Sequence, residues 1–211
     1  MELASFRVMG GNVAEVGQRV ADLERRLLGG YQLLQALVGI RLRSVRDPES
    51  RRHLAWLSDV TAAMSLFNNR AVQEGAVDFA VYLDDAVAFW RRSCEGRPIR
   101  FELRAASAVL PDAQALTLAI IAHELISNAV RHAFPGESRG AVAVAFSWSS
   151  EGVSLVVRDS GVGGERLSAG DGLNLVEGLV SHLHGSLSIE AVPGGGVGVG
   201  VRLPAQSVGP H

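Results

Sequence analysis

The sequence predicts an α+β protein in two parts: an antiparallel helical hairpin over residues 1–75, then an α/β sandwich over 76–211 with its helices on one face of a sheet. Three observations predict it. Apolar residues recur at alternating three and four spacing from Val13 to Leu37 and again from Leu54 to Phe67, the period of helices that share a seam. Beyond Gly75, runs such as 141–148 and 153–158 alternate in hydropathy like strands. The strand-like runs are interleaved with three further helical patterns, the grouping of a sheet covered by helices.

Taken in order, residues 12–43 carry Val13, Val16, Val20, Leu23, Leu27, Leu34 and Leu37 on one seam, with Gly30 occupying a seam position. Asp47-Pro48-Glu49-Ser50 breaks the pattern, and Leu54, Leu57, Thr61, Met64 and Phe67 resume it. Two helices alone do not close a core, so the hairpin is expected to form a four-helix bundle with a second chain; the alternative is that it folds onto its own second domain. Gly29 and Gly30 cost about 1 kcal/mol each relative to alanine inside a helix. They predict either a kink or a close helix contact.

Gly75 and Ala76 mark a domain boundary. Val77-Asp78 leads a helix with Tyr82, Leu83, Val87 and Trp90 on its apolar side, 98–103 reads as a strand, and Pro111-Asp112 starts a long helix that includes the apolar segment 116–122. Strands follow at 141–148 and 153–158. Gly170 and Gly172 open another helical pattern through Leu173, Val176 and Val180, and 186–191 with 197–203 flank Pro193-Gly194-Gly195-Gly196 as a terminal hairpin.

Composition sets the frame. The chain has 211 residues, 47% hydrophobic and 20% charged, which is globular and ample for a core. A formal charge of −2 makes no electrostatic case for nucleic acid or an anionic membrane. The single cysteine, Cys94, permits no internal disulfide. No run of about 18 apolar residues and no signal-peptide pattern is read. The expectation is a cytoplasmic protein.

Three stretches carry chemistry. In HELISNAVRHAF (123–134), Glu124, Asn128 and Arg131 fall at i, i+4 and i+7 on one face of an otherwise apolar helix. A buried helix holds such groups only against partners, and an acid, an amide and a guanidinium in line suit a metal-bridged phosphate. In DSGVG (159–163) a strand ends in Asp159, whose carboxylate could accept an adenine amino proton, and Gly161 and Gly163 permit close backbone approach. In GDGL (170–173) unpaired N–H groups at a helix start could hold phosphate, although Asp171 places like charge beside it.

In this order and spacing the stretches resemble the N box and two glycine boxes of the GHKL, or Bergerat-type, ATP-binding fold of histidine kinases, gyrase-type ATPases and anti-sigma kinases. The wider order, with VDFAVYLDDAV, RPIRFEL, a short lid at 164–169 and GLNLVEGLVSHLHGSLSI, is similar to the transmitter region of HWE-related histidine kinases. The resemblance implies ATP and Mg2+ as cofactors. It gives Asn128 the Mg2+, Arg131 a phosphate, His132 a place along the nucleotide and Asp159 the adenine. Gly161, Gly163, Gly170 and Gly172 would form the surrounding loops, and Glu124 would polarise a water or an acceptor.

One departure outweighs the matches. Such kinases carry an acceptor histidine in the first helix, within a motif like HHRVKNNLQ; here the stretch reads ERRLLGGYQ (24–32), with Arg25 at the acceptor position and no histidine before His53. Arginine keeps its proton and is no nucleophile. His53 sits just past the hairpin turn, and His182 and His184 read as surface positions at a helix end. The expected protein is therefore a homodimeric, ATP-binding scaffold or regulator of two-component signalling, serving a response regulator or another signalling kinase. The alternatives are a kinase that phosphorylates a partner in trans and a phosphorelay transfer protein. Input is expected through a partner or the ATP-binding domain.

Overall fold

The computed structural model describes residues 17–19, 29–69, 76–136, 138–163 and 171–205, with the backbone alone at Ala76 and Asp171. Arg25, Gly170 and the expected lid 164–169 lie outside the described residues. Helix α1 is described over 29–44. The breaker residues then do what their chemistry dictates: Asp47 caps the next helix, its Oδ2 accepting from the Ser50 N–H at 2.8 Å, and Pro48 takes the first position of α2 (Pro48–Asn68). Arg51 closes the turn by donating from Nη1 to the carbonyls of Leu42 at 2.9 Å and Val45 at 3.2 Å.

The sandwich begins with β1 (Ala76–Asp78), which pairs antiparallel with β3 (Val109–Pro111), Val77 opposite Leu110. Sequence reading gave neither strand, because three residues are too few to show a period. Asp78 ends β1 and caps α3 (Phe79–Ser93), accepting from the Ala80 N–H at 3.0 Å and from the Ser107 hydroxyl at 2.8 Å. The main sheet holds β2 (Ile99–Ala105), β4 (Gly140–Ser149), β5 (Gly152–Asp159), β7 (Val197–Pro204) and β6 (Ser186–Ala191) in that order, with β2 and β4 parallel and the rest antiparallel. Val142, Val144, Phe146, Val153, Leu155, Val157, Val201 and Leu203 alternate onto the buried face and join one core with α3, α4 (Asp112–His132) and α5 (Asp171–His182).

Helix α4 is the centre of that core, with Leu118, Ala119, Ile121, Ala122 and Ile126 fully buried. By length and composition it is apolar enough to cross a membrane, with a mean hydropathy of 1.3, although 72% of that stretch is buried inside the fold. The sequence hid this because Thr117, His123, Glu124, Ser127 and Asn128 interrupt the apolar run, while the residues between them keep its average high.

Helix α2 packs on the chain's own sandwich through its C-terminal half. Ala63 and Phe67 are buried, and the Phe67 ring lies 6.1 Å from Tyr82, which stacks on Phe79 at 5.4 Å, which meets Phe146 edge-on at 5.0 Å. This aromatic chain runs from α2 through α3 to β4, and burial of Phe67 alone stabilises the docking by about 2 kcal/mol. Leu33, Leu34, Leu37 and Ile40 of α1, by contrast, are each more than half exposed.

Candidate functional site

A cavity of about 850 Å3 opens between α2, α4, the loop after β5 and the start of α5. Each element delivers its side chains for a local reason. Helix α4 turns its polar face there: Glu124, Asn128, Arg131 and His132 all line the cavity. Glu124 is 2% exposed, and its Oε1 has no hydrogen-bond partner. Burial, reinforced by the nearby Asp59 charge and opposed by Arg131, pushes its carboxyl up to about 7. A carboxyl at that value can take or give a proton near neutrality.

His123, one residue earlier, lies outside the cavity lining. It is 1% exposed, with both ring nitrogens unpartnered and its ring 4.9 Å from Trp90 and 5.6 Å from Phe89. Burial, and secondarily the Arg131 charge, lowers its pKa to about 3, so the imidazole is neutral. It packs as an aromatic ring.

The opposite wall is the end of β5. Asp159 is 9% exposed and lines the cavity, its Oδ1 accepting the Gly161 N–H at 2.9 Å. The loop beyond is tied down by backbone bonds from Ser160 N–H to the Ala141 carbonyl and from Val162 N–H to the Ala133 carbonyl, both 3.0 Å. Gly161 does not line the cavity. A Cβ there would overlap the Ala133 carbonyl, so this glycine lets the loop lie against the end of α4. Gly163, at φ +60°, lines the cavity. Gly196, read from sequence only as part of a turn, holds φ +94°, and a Cβ there would strike the Asp159 carbonyl. Ala129, Ala133, Val157 and Val199 supply apolar wall between these polar ends.

Gly172 brings the first turn of α5 against α4: an added Cβ would sit 2.5 Å from Glu124 Oε2 and 3.7 Å from Asn128 Oδ1. The start of α5 therefore lies beside the acid and the amide. His182 and His184 are exposed at the far end of α5, and no group of three or more metal-ligating His, Cys, Asp or Glu residues occurs among the described residues.

The contribution of α2 was not visible in the sequence. Arg46, Arg52 and Trp56 line the cavity from the α1–α2 turn and the first half of α2. One turn further on, Asp59 Oδ2 accepts from the Ser127 hydroxyl at 3.0 Å and forms an ion pair with Arg131 Nη2. Burial raises the Asp59 pKa, with Arg131 and Ser127 opposing. Asp59 lies among the seam residues Leu57 and Thr61, and nothing in its spacing distinguishes it from a solvated helix residue.

The family model for the histidine kinase-like ATPase domain matches residues 92–201, from the end of α3 to β7 and just over half of the chain. The chain belongs to this family. Among curated proteins it is 29% identical to the sensor histidine kinase PdtaS of Mycolicibacterium smegmatis over 197 residues, covering 88% of this chain and 39% of that protein. It is 25% identical to blue-light-activated histidine kinase 1 of Erythrobacter litoralis, covering 82% of this chain and 50% of the relative. The chain thus spans half or less of these relatives. The fold matches the histidine kinase domain of an Erythrobacter litoralis blue-light activated histidine kinase at a TM-score of 0.64 and 19% identity, covering 82% of this chain and 95% of that one. It also matches the ATP-binding domain of PrrB from Mycobacterium tuberculosis at a TM-score of 0.51 and 24% identity, covering 64% of this chain and all of that one. The α/β sandwich is accordingly the histidine kinase-like ATPase fold.

Proposed function

We propose that the cavity binds ATP with Mg2+ and that the chain is a two-component signalling protein of the histidine kinase type that does not phosphorylate itself on the usual helix. The observation that carries this reading is the convergence on one cavity of Asn128, Asp159, Gly163, Gly172 and Glu124, whose Oε1 has no hydrogen-bond partner. The fit is chemical as well as geometric. The volume falls in the roughly 300–1,000 Å3 range of ligand cavities, the walls between the polar ends are apolar, and the glycine at 172 leaves a cradle that a Cβ would fill.

Asp159 would orient the adenine by accepting its amino proton, and the Asn128 amide oxygen would hold the metal as a hard ligand. Arg131 and the first-turn N–H groups of α5 would face phosphate. Bound Mg2+–ATP would supply the transferable phosphoryl group. Glu124, near neutral in its own pKa, would hold the proton of an incoming hydroxyl or imidazole. That last property favours a second reading, a kinase acting in trans on a partner. In the first reading Arg25 stands where the acceptor histidine is expected, and the chain acts as a scaffold or regulator for a response regulator or another kinase.

The division at residue 76 into a helical dimerisation part and an ATP-binding part belongs to the same proposal. The exposed Leu33, Leu34, Leu37 and Ile40 support a second copy bundled against α1; sedimentation should give a dimer that Leu37→Glu dissociates. Calorimetric titration with a non-hydrolysable ATP analogue should show saturable binding that requires Mg2+. No binding, or binding indifferent to the metal, would remove the nucleotide reading. Incubation with labelled ATP and a candidate response regulator separates the two functional readings, a labelled partner supporting the kinase.

A further inference from the structure

Arg131 has two calls on one guanidinium. It lines the cavity beside Asn128, where an anionic ligand would meet it, yet its Nη2 is already paired with Asp59 of α2. The pair is built into the helix contact. Asp59 is 17% exposed at its side chain, and Ser127, one turn before Arg131 on α4, donates to the same Oδ2. Two donors at i and i+4 thus converge on one carboxylate oxygen. The contact is anchored from one side, because Thr61, Ala62, Ala63 and Phe67 bury the rest of α2 in the sandwich. From the other side, Arg52 and Trp56 place the turn-proximal half of α2 at the cavity itself, with Arg46 of the preceding turn beside them.

We propose that Asp59 is a positioning residue that withholds Arg131 from the phosphates of a bound nucleotide, so that nucleotide affinity depends on how α2 is docked on α4. The inference rests on the reading of the cavity as a nucleotide site. An arginine fork engages a carboxylate or a phosphate in the same planar manner and keeps its charge throughout, so the two partners exchange for it without proton transfer. Any displacement of α2 that lengthens the Asp59 contact releases Arg131 to the cavity. A nucleotide that takes Arg131 loosens α2 to the same extent, since coupling between two binding events is reciprocal. The helical segment and the ATPase domain are linked in this way through one side chain.

The test is calorimetric titration of the full chain and its Asp59→Ala, Arg131→Ala and double variants with Mg2+ and a non-hydrolysable ATP analogue. Asp59→Ala should tighten binding about tenfold, the scale of ordinary coupling between sites, and Arg131→Ala should weaken it. In the Arg131→Ala background the Asp59 change should have no effect, which a merely structural role of Asp59 would not produce. Asp59→Asn, which keeps an oxygen for Ser127 and so preserves the helix contact, should shift affinity in the same direction as Asp59→Ala. Equal or weaker binding by Asp59→Ala, with the unmutated chain binding normally, overturns the proposal and leaves the nucleotide reading intact. A gain that persists without Arg131 overturns it too. Failure of every protein to bind overturns the nucleotide reading and this inference with it.

Discussion

At the Asp159 end of the cavity the loop is held by its own backbone N–H groups and by contacts within the sandwich, whereas at the Asn128 end the decisive partner is a side chain of another helix, α2. The loop after β5 is fixed by N–H bonds from Ser160, Gly161 and Val162 to Ala141, Asp159 and Ala133, and Gly161 and Gly196 allow that crowding. Across the cavity, Glu124 Oε1 has no partner, and Ser127 and Arg131 give their hydrogen bonds to Asp59 of α2. The shape of the Asp159 end is therefore set within the sandwich, while charge at the other end is set jointly with α2. Backbone bonds hold whatever docks nearby, but a side-chain ion pair is exchangeable.

Breaking the rigid end should have the largest effect. Gly196→Ala forces a side chain into positive φ and against the Asp159 carbonyl; the expected loss is about 3 kcal/mol, seen in calorimetry as a fall in Tm of roughly 6–12 °C. At the other end, Glu124 makes stability depend on pH. Its folded pKa of about 7 lies above the reference value of 4.5, so between those values the native state binds more protons than the unfolded chain. Stability then falls as pH rises through that window, by on the order of 3 kcal/mol, and Glu124→Gln should flatten the slope in urea titrations at pH 5 and pH 8. Asp159→Asn should keep the Gly161 bond and leave Tm nearly unchanged, yet reduce the preference for ATP over GTP about 100-fold in competition binding. Asn128→Ala should cost about tenfold in affinity and abolish the metal dependence, because a methyl group is no ligand.

The same contrast explains what could be read in the sequence. The Asp159 end was legible because strand alternation, a terminal aspartate and closely spaced glycines are contiguous, and contiguous signals survive without a structure. Glu124 and Asn128 were legible as a polar stripe on an apolar helix. Asp59 was not, since its partner lies 72 residues away and helix periodicity assigns it only to a face. Gly196 looked like any hairpin glycine until the strand it crowds was in place. Strands β1 and β3 were hidden by their three-residue length, and the expected glycine at 170 and the acceptor-position Arg25 lie outside the described residues.

The claim that these two differently built ends form one nucleotide site is tested most directly by following backbone amide resonances while Mg2+ and a non-hydrolysable ATP analogue are titrated in. The account predicts that amides at 159–163 and at 124–132 shift together along a single saturating curve. Shifts confined to one of the two groups, or two curves with different midpoints, would contradict it.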